Sequence, residues 1–506
     1  MSTVLTVNVP RCVCVSKRRF SVLMLSWEFP PRIIGGISSH VNDLSLALTR
    51  KGITVYVVTC DFPGAPEYEE IHGVSVYRFN SKIPSYSFLS WVFSMNQNMA
   101  EKAIEVINSS DENIDVIHGH DWLVANAAAR VKNAFGKPLV STIHATEIGR
   151  RQGIHNEYQR NINDVEKNMI DQSSEVICCS DYMAHQISEA FNVSGEKLHV
   201  IRNGVNVSKF GVKAEGGTIR RRYVKPDGKM VLYVGRLVYE KGVHVLIGAV
   251  PKVLSVLPNV SFVIVGEGGM QEYLEKEAWD FGVADHVFFT GFVDEETLIS
   301  LYKVSDAAVF PSLYEPFGIT ALEAMAAKTP VVVSDTGGLS EIVDHDKTGV
   351  KVYADNSDSL AWGILRVLQN RRLTNGFREN AYQKVVRDYD WNRIADETVE
   401  VYRKAMLAVP VLKSNVDAGL PLLRLEKYPG ELRILVLLHI LAVVDSERAK
   451  SVKDLAGMLN MSIEDIRGLL RRLADSGYVE AYRDSLRRVR YFLTKKGIIK
   501  ACSLFS

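Results

Sequence analysis

Cysteine is scarce in this chain of 506 residues, and its placement builds no framework: of six cysteines, Cys178 and Cys179 are adjacent and Cys12-Val-Cys14 is separated by one residue. That excludes a disulfide-stapled secreted scaffold and a zinc site built from paired C-x-x-C units, and it fits a reducing cytoplasm. Charge of one sign is missing as well. Sixty Lys and Arg against 59 Asp and Glu leave +1, so the whole molecule carries no strong field toward nucleic acid or an anionic membrane, and partners have to be argued locally. Long apolar runs are also absent. The longest, Ile434–Val444, includes His439 and falls well short of the roughly 18 to 20 apolar residues that cross a bilayer. Behind the basic Lys17, Arg18 and Arg19 stands an apolar run of only four residues, Val22–Leu25, so neither a signal peptide nor integral membrane insertion is expected.

What is present is a globular composition, 47% hydrophobic and 24% charged, on a chain far too long for one core; three domains are expected. Short β-branched runs alternate with helical patterns from Phe20 to about Val207: Ser21–Leu25, Ile53–Thr59, Val74–Phe79, Val116–His118, Leu139–His144, Val176–Cys179 and Leu198–Ile201. This is the βαβ rhythm of a parallel, doubly wound sheet. It repeats at Met230–Val234, Val260–Val265, Val287–Thr290, Ala307–Phe310 and Val331–Ser334, with helices such as Val243–Leu257 and Gln271–Trp279 between them. The fold class is therefore α/β, two Rossmann-like domains over residues 1–207 and 208–408, with the glycine-bearing Lys209–Lys229 between their cores. Ligands in such sheets bind outside the carboxyl ends of the strands, here in the cleft between the domains. After the helix Trp391–Ala408, a linker at residues 409–427 with Pro410 and Pro421 leads to a different pattern over 428–506.

The densest chemistry lies in Pro311–Ala326. Pro316 and Gly318 make a tight turn, and the helix opening near Ile319 points unpaired N–H groups and a positive dipole end outward, a seat for a diphosphate. Glu315 beside it can accept hydrogen bonds from sugar hydroxyls, and Glu323 can hold a ribose diol. Arg236, after Gly235 at the end of a strand, and Lys241, before Gly242, can neutralise a leaving diphosphate. The pair Gly35-Gly36 precedes a helix at Ser38–Arg50 and allows close backbone approach to a phosphate or sugar. His118-Gly-His120-Asp121 and Thr142-Ile-His144 fall at strand ends on the cleft side. Metal ligation by His118 and His120 is the alternative use of the first of these, but it lacks a third ligand. Asp344-His-Asp346 and Asp388-Tyr-Asp390 follow no strand of the cleft and are set aside.

Together these pieces resemble the GT-B retaining glycosyltransferases, most closely the glycogen or starch synthase-like members, over about residues 20–408. The resemblance rests on Trp27-Glu-Phe-Pro-Pro with Gly35-Gly36, His120-Asp-Trp122, Thr142-Ile-His-Ala145, Asn203-Gly-Val205, Gly235-Arg236 with Lys241-Gly242, Glu315-Pro-Phe-Gly318 with Glu323, and Thr336-Gly-Gly338. It implies Arg236 and Lys241 on the donor diphosphate, Glu315 on the transferred sugar, Glu323 on the ribose, His144 near the anomeric centre and Asp121 on the acceptor side. Asn203 and the backbone at Gly35, Gly36, Gly318, Ile319, Gly337 and Gly338 would complete the donor pocket. The implied activity is transfer of glucose from a nucleotide donor such as ADP-glucose or UDP-glucose to an α-glucan, without cofactor or metal. Bacterial glycogen synthases carry a lysine two residues before the paired glycines, where this chain has Ile33, so a small sugar or lipid acceptor stays open. A sugar-sensing transcription regulator is the rival of another class.

Residues 428–506 hold fourteen Lys or Arg against nine Asp or Glu. An apolar helix at Glu431–Val444, helices at Val452–Leu459 and Ile463–Ser476 capped by Ser451 and Ser462, a strand at Tyr478–Tyr482 and a hairpin at Arg483–Leu493 outline a winged helix-turn-helix. Arg467, Arg471 and Arg472 on the third helix, with Arg483, Arg487, Arg488 and Arg490 on the wing, suit DNA phosphates. Protein contact or oligomer formation is the equal alternative.

Overall fold

The computed structural model describes residues 20–81, 88–110, 112–211, 216–408, 430–440, 449–459, 461–484 and 488–494. Linker residues 409–427 and Arg487 therefore lie outside the described residues, as does the part of the expected Glu431–Val444 helix beyond Ile440.

The first sheet has eight strands: β1 Ser21–Leu25, β2 Thr54–Cys60, β3 Tyr68–Ile71, β4 Val74–Phe79, β5 Val116–His120, β6 Leu139–Ile143, β7 Glu175–Cys178 and β8 Leu198–Val200. Their order is β3-β4-β2-β1-β5-β6-β7-β8, parallel throughout except for β3 against β4. Every residue of β1, β5, β6 and β7 is buried, as helices on both faces require, which is why these strands read as apolar runs. The order turns back between β1 and β5, and the loops leaving those two strands carry Gly35-Gly36 and Asp121.

The second sheet contains β9 Lys229–Val234, β10 Val260–Val265, β11 Val287–Gly291, β12 Ala307–Phe310, β13 Val331–Ser334 and β14 Val350–Val352, ordered β11-β10-β9-β12-β13-β14. Its switch point between β9 and β12 puts Arg236 and Glu315 on neighbouring loops. Two strands of these two sheets escaped the sequence reading. β3 is an edge strand whose Tyr-Glu-Glu-Ile alternates with solvent, and β14 is three residues with a lysine at its centre. The Lys209–Lys229 segment is also more than a linker. It forms a helix, Gly216–Tyr223, whose Ile219 and Tyr223 pack on the core while Arg220 Nη2 donates to Asp306 Oδ2 at 2.8 Å.

The chain crosses between the two units twice, side by side. It leaves the first near Val205 and returns after Tyr389, where Val205 N donates to Tyr389 O at 3.1 Å. A Cβ on Gly204 would stand 2.8 Å from the Trp391 ring, so only glycine permits that approach. The returning helix, Trp391–Ala408, lays Trp391, Ile394, Ala395 and Tyr402 against Val22, Met24, Val41 and Leu44 of the first unit. Each such buried aliphatic contributes roughly 1.5–3 kcal/mol. Close to these crossings the units are also tied by polar contacts: Ser180 Oγ donates to Pro316 O at 2.6 Å, Asp181 N and Tyr182 N donate to the Glu341 carboxylate at 3.1 and 2.8 Å, and Tyr314 Oη donates to Gln186 Oε1 at 3.0 Å.

Beyond the linker, helices Gly430–Ile440, Val452–Leu459 and Ile463–Asp475 pack Ile434, Leu438, Leu455, Ile466 and Leu470 onto Val479 and Leu493. Those last two belong to an antiparallel sheet of β15 Lys450–Ser451, β16 Val479–Arg483 and β17 Val489–Leu493, ordered β15-β17-β16. Ser451 and Ser462 cap their helices as expected, accepting from Asp454 N and Asp465 N at 3.1 and 3.0 Å.

Candidate active site

The loop leaving β12 sets Glu315, and two glycines of another loop hold it in place. A Cβ on Gly337, at φ +50°, would fall 2.1 Å from Glu315 O, and one on Gly338 2.4 Å from Phe317 Cα; Gly338 N donates to Glu315 O at 2.8 Å. The backbone thus passes where no side chain fits. Gly318, at φ +116°, opens the helix Ile319–Ala326, which has no side-chain cap. The Glu315 carboxylate is buried, and its Oε2 accepts from Lys241 Nζ at 2.7 Å and from Ser312 Oγ at 3.0 Å. Lys241 closes the short turn Tyr239–Lys241 after β9, ahead of Gly242 at φ +67°. Arg236 lies on the same loop with about half its side chain exposed, 3.7 Å from Glu240. The structure thereby joins Lys241 to Glu315 and leaves Arg236 open to the cleft.

Across the cleft, the Gly35-Gly36 loop approaches this site from the first unit. A Cβ on Gly36 would meet Ile319 Cδ1 at 3.0 Å. Glu28, quoted in the sequence motif but given no role, is buried here, and its Oε2 accepts from Ile34 N at 2.6 Å and Gly35 N at 2.8 Å. Burial raises its pKa, opposed by those two amides and by the charges of Arg32 and Arg236. A carboxylate of the protein itself therefore sits on the loop amides, with Arg236 in its field.

Glu323 occupies different surroundings from Glu315. It lines a cavity of about 60 Å³ with His40, Asp43, Lys209, Tyr302 and Trp391, and its Oε2 accepts from Tyr302 Oη at 3.0 Å. Burial pushes its pKa up to about 7, against the hydrogen bond from Tyr302 and the charge of Lys209. Lys209 Nζ itself donates to Glu295 at 2.7 Å. A space of that size holds a few water molecules and not a nucleoside, so the units are closed on each other here. Tyr302, Lys209 and His40 were missed from sequence because each comes from a distant element.

His144, at the carboxyl end of β6, stands in a cluster of imidazoles. His144 Nε2 lies 3.3 Å from His120 Nδ1, and the His40 ring meets His144 and His120 with centroids 4.7 and 5.4 Å apart. Burial drives the pKa of His40 down to about 4 and those of His120 and His144 well below the usual value, so all three are neutral at physiological pH. Neither nitrogen of His40, nor Nε2 of His120, nor Oδ1 of the buried Asn203 has a partner in hydrogen-bonding geometry, although the Asn203 side chain lies near enough to His40 to act against burial on its pKa. Buried polar atoms without partners are uncommon and point to something that completes them. Asp121, at φ +66°, turns its Oδ1 to His144 N at 3.1 Å. Burial lifts its pKa to about 6, with Arg150 opposing.

The expected alternative pair His118 and His120 is not a metal pair in the structure. His118 Nδ1 meets Tyr402 Oη at 2.7 Å and its Nε2 meets Thr142 Oγ1 at 2.8 Å, so both ring nitrogens are engaged. The Asp-x-Asp triplets also have local partners: Asp344 binds Lys384 and Asp388 binds Arg387, while Asp390 accepts from Asn392 N.

Comparison with known proteins follows the same division of the chain. Residues 34–209 match the model described as Glycosyltransferase Family 4 and residues 217–384 the one described as Glycosyl transferases group 1. A Methanocaldococcus jannaschii protein named as an uncharacterised glycosyltransferase is 43% identical over 76% of this chain and 98% of its own length. A Mycobacterium tuberculosis protein named glycogen synthase is 36% identical over 76% of this chain and 94% of its own. Among solved structures, sucrose-phosphate synthase from Thermosynechococcus elongatus superposes with a TM-score of 0.67 at 24% identity, covering 77% of this chain and all of that one.

Proposed function

This chain belongs to the group 1 glycosyltransferases, enzymes of GT-B fold, and on that footing we propose that it is a retaining enzyme moving glucose from a nucleotide diphosphate to the end of an α-glucan. The observation that carries the reading is the Lys241–Glu315 contact at 2.7 Å, on a cleft that also receives Arg236 and the uncapped helix start at Ile319. Cations and helix N–H groups suit a departing diphosphate, and a carboxylate held beside them suits the hydroxyls of the sugar it leaves. The relative named glycogen synthase supports glucan as acceptor.

In this reading the diphosphate leaves toward Arg236 and Lys241, and its oxygen helps deprotonate the acceptor hydroxyl arriving on the same face. Asp121 is turned onto the backbone of His144 and orients that imidazole near the anomeric carbon; it is not placed to attack as a nucleophile. Glu323, with Tyr302 behind it, holds the ribose. The two cations supply the charge a metal would otherwise supply, so none is required. Screening ADP-glucose and UDP-glucose against glycogen, with release of the nucleoside diphosphate as readout, tests the proposal. Transfer only to a small sugar or lipid would replace the acceptor assignment, and loss of every transfer would favour the sensor.

We read the three C-terminal helices and the sheet of β15, β16 and β17 as a winged helix-turn-helix. Three of its arginines are neutralised within the module: Arg472 pairs with Glu431, while Arg488 and Arg490 share Asp484. Arg467, Arg471 and Arg483 remain exposed for phosphates. That division favours contact with protein more than a wing-led grip on DNA.

A further inference from the structure

The imidazole cluster holds more binding capacity than transfer of a sugar calls for. His40 comes from the Gly36–Arg50 helix, His120 from the end of β5 and His144 from the end of β6, so three separate elements bring their rings to one point. One ligand atom from each lies within 4.8 Å of the others. Three ligands at zinc–nitrogen distances occupy corners of a tetrahedron with edges of about 3.3 Å. The 3.3 Å between His120 Nδ1 and His144 Nε2 already has that length.

We propose that His40, His120 and His144 form a three-imidazole seat for a divalent transition metal, zinc above all, and that an ion bound there inhibits transfer by occupying the place of the sugar. The inhibitory half rests on the position assigned to His144 in the proposed reaction; the seat itself does not.

Two features support the seat. Neither nitrogen of His40 nor Nε2 of His120 has a partner in hydrogen-bonding geometry, and His40 also lines the cavity beside Glu323. Around the seat, His118 is fixed by Tyr402 and Thr142 and stacks on His120 with ring centroids 4.1 Å apart, restraining that ring as an outer layer does in metal centres. Three nitrogen ligands leave a fourth position for water or a sugar hydroxyl.

The test uses the full chain, freed of metal by chelation. Titration with zinc chloride in a calorimeter should give one tight site, and cobalt should give the intense visible absorption of tetrahedral coordination. His40→Asn and His120→Asn should each weaken zinc binding by more than the about 10–100-fold that loss of an outer-layer partner costs. His118→Asn should remain within that lesser range. Zinc should also raise the apparent KM for nucleotide-glucose. Failure of the wild-type protein to bind zinc stoichiometrically, an octahedral cobalt spectrum, or binding indifferent to His40 and His120 would each overturn the seat. Should the variants not fold, the wild-type stoichiometry and spectrum still decide. Zinc bound with transfer unaffected would overturn inhibition alone, and a chain that transfers no sugar yet binds zinc would fault the proposed reaction and leave the seat standing.

Discussion

Lys241 and Glu315 were expected to act on different parts of the donor, one on the diphosphate and one on the sugar, yet they touch at 2.7 Å with 21% and 11% of their side chains exposed. At an effective dielectric near 20, charges that close attract by about 6 kcal/mol before desolvation is subtracted, and losing one stabilising group in a closed site costs about 10²–10³-fold in rate. Lys241→Met strands the Glu315 carboxylate with only Ser312, and Glu315→Gln strands the ammonium. If the residues worked independently, the double variant would lose about 10⁴–10⁶-fold. If they form one unit, it should lose little more than either single variant, a coupling of about 3 kcal/mol. The assay is kcat/KM for glucosyl transfer to glycogen in all four proteins, with thermal midpoints to confirm folding and calorimetry of the nucleoside diphosphate to separate ground-state binding. Additive losses would refute the shared role, and unchanged turnover in Lys241→Met would refute the diphosphate assignment itself.

Arg236→Ala, which gives up the 3.7 Å contact with Glu240, should cut transfer by about 10²-fold, and chelation of divalent metal should leave wild-type turnover intact; inactivation reversed by added metal would reassign the charge stabilisation. Glu323 has its pKa raised from 4.5 to about 7, so the stability it gives is full below pH 4.5 and is lost as pH rises through 7. Glu323→Gln should match wild type in thermal midpoint near pH 4.5 and exceed it above pH 7, by at most about 3 kcal/mol at about 1.4 kcal/mol per unit; a gain that is the same at both pH values would contradict the buried carboxylate. A chain ended after Leu412 should fold and still transfer glucose, because both sheets and the Trp391–Ala408 helix are complete. If full-length protein binds DNA where that truncated chain does not, replacing Arg467 and Arg471 should lower the salt slope by about two; no binding at low salt would leave protein as the partner.

The sheets were legible because strands buried on both faces are largely apolar, as β1 and β12 spell out. Where that pressure relaxes, as in the charged edge strand β3 or the short β14, the signal disappears. The carboxylates and cations of the cleft were legible because each follows a strand and stands beside a glycine whose backbone has to pass close to a neighbour, as Gly242 does to Pro311 O, Gly318 to Leu339, and Gly337 and Gly338 to Glu315 and Phe317. His40 was not. It lies on an amphipathic helix where one histidine looks like any other buried side of a turn, and its meaning comes from two strands about eighty and a hundred residues away in sequence. Glu28 was hidden for the opposite reason, since its partners are six and seven residues along the same loop but only the folded loop turns those amides back to it.

The paired crossings at Val205 and Tyr389 give the molecule a mechanical character. Two strands of chain fastened by one hydrogen bond, with the Gly204 backbone pressed on the Trp391 ring, make a short axle at one edge. Rotation about an axle displaces atoms in proportion to their distance from it, so a few degrees there becomes a wide movement far from it. The ties between the units lie close to the axle: Phe317 packs on Tyr389 with ring centroids 6.1 Å apart, its neighbour Pro316 accepts from Ser180, and Arg202, two residues before Gly204, stands 3.6 Å from the Glu341 carboxylate that takes the Asp181 and Tyr182 amides. These bonds therefore behave as a bearing: they keep the axle seated while distant parts of the cleft swing. Because Pro316 follows Glu315 directly in the chain, a shift at the axle is carried straight to that carboxylate, so that turning of the units and the setting of Glu315 are one movement.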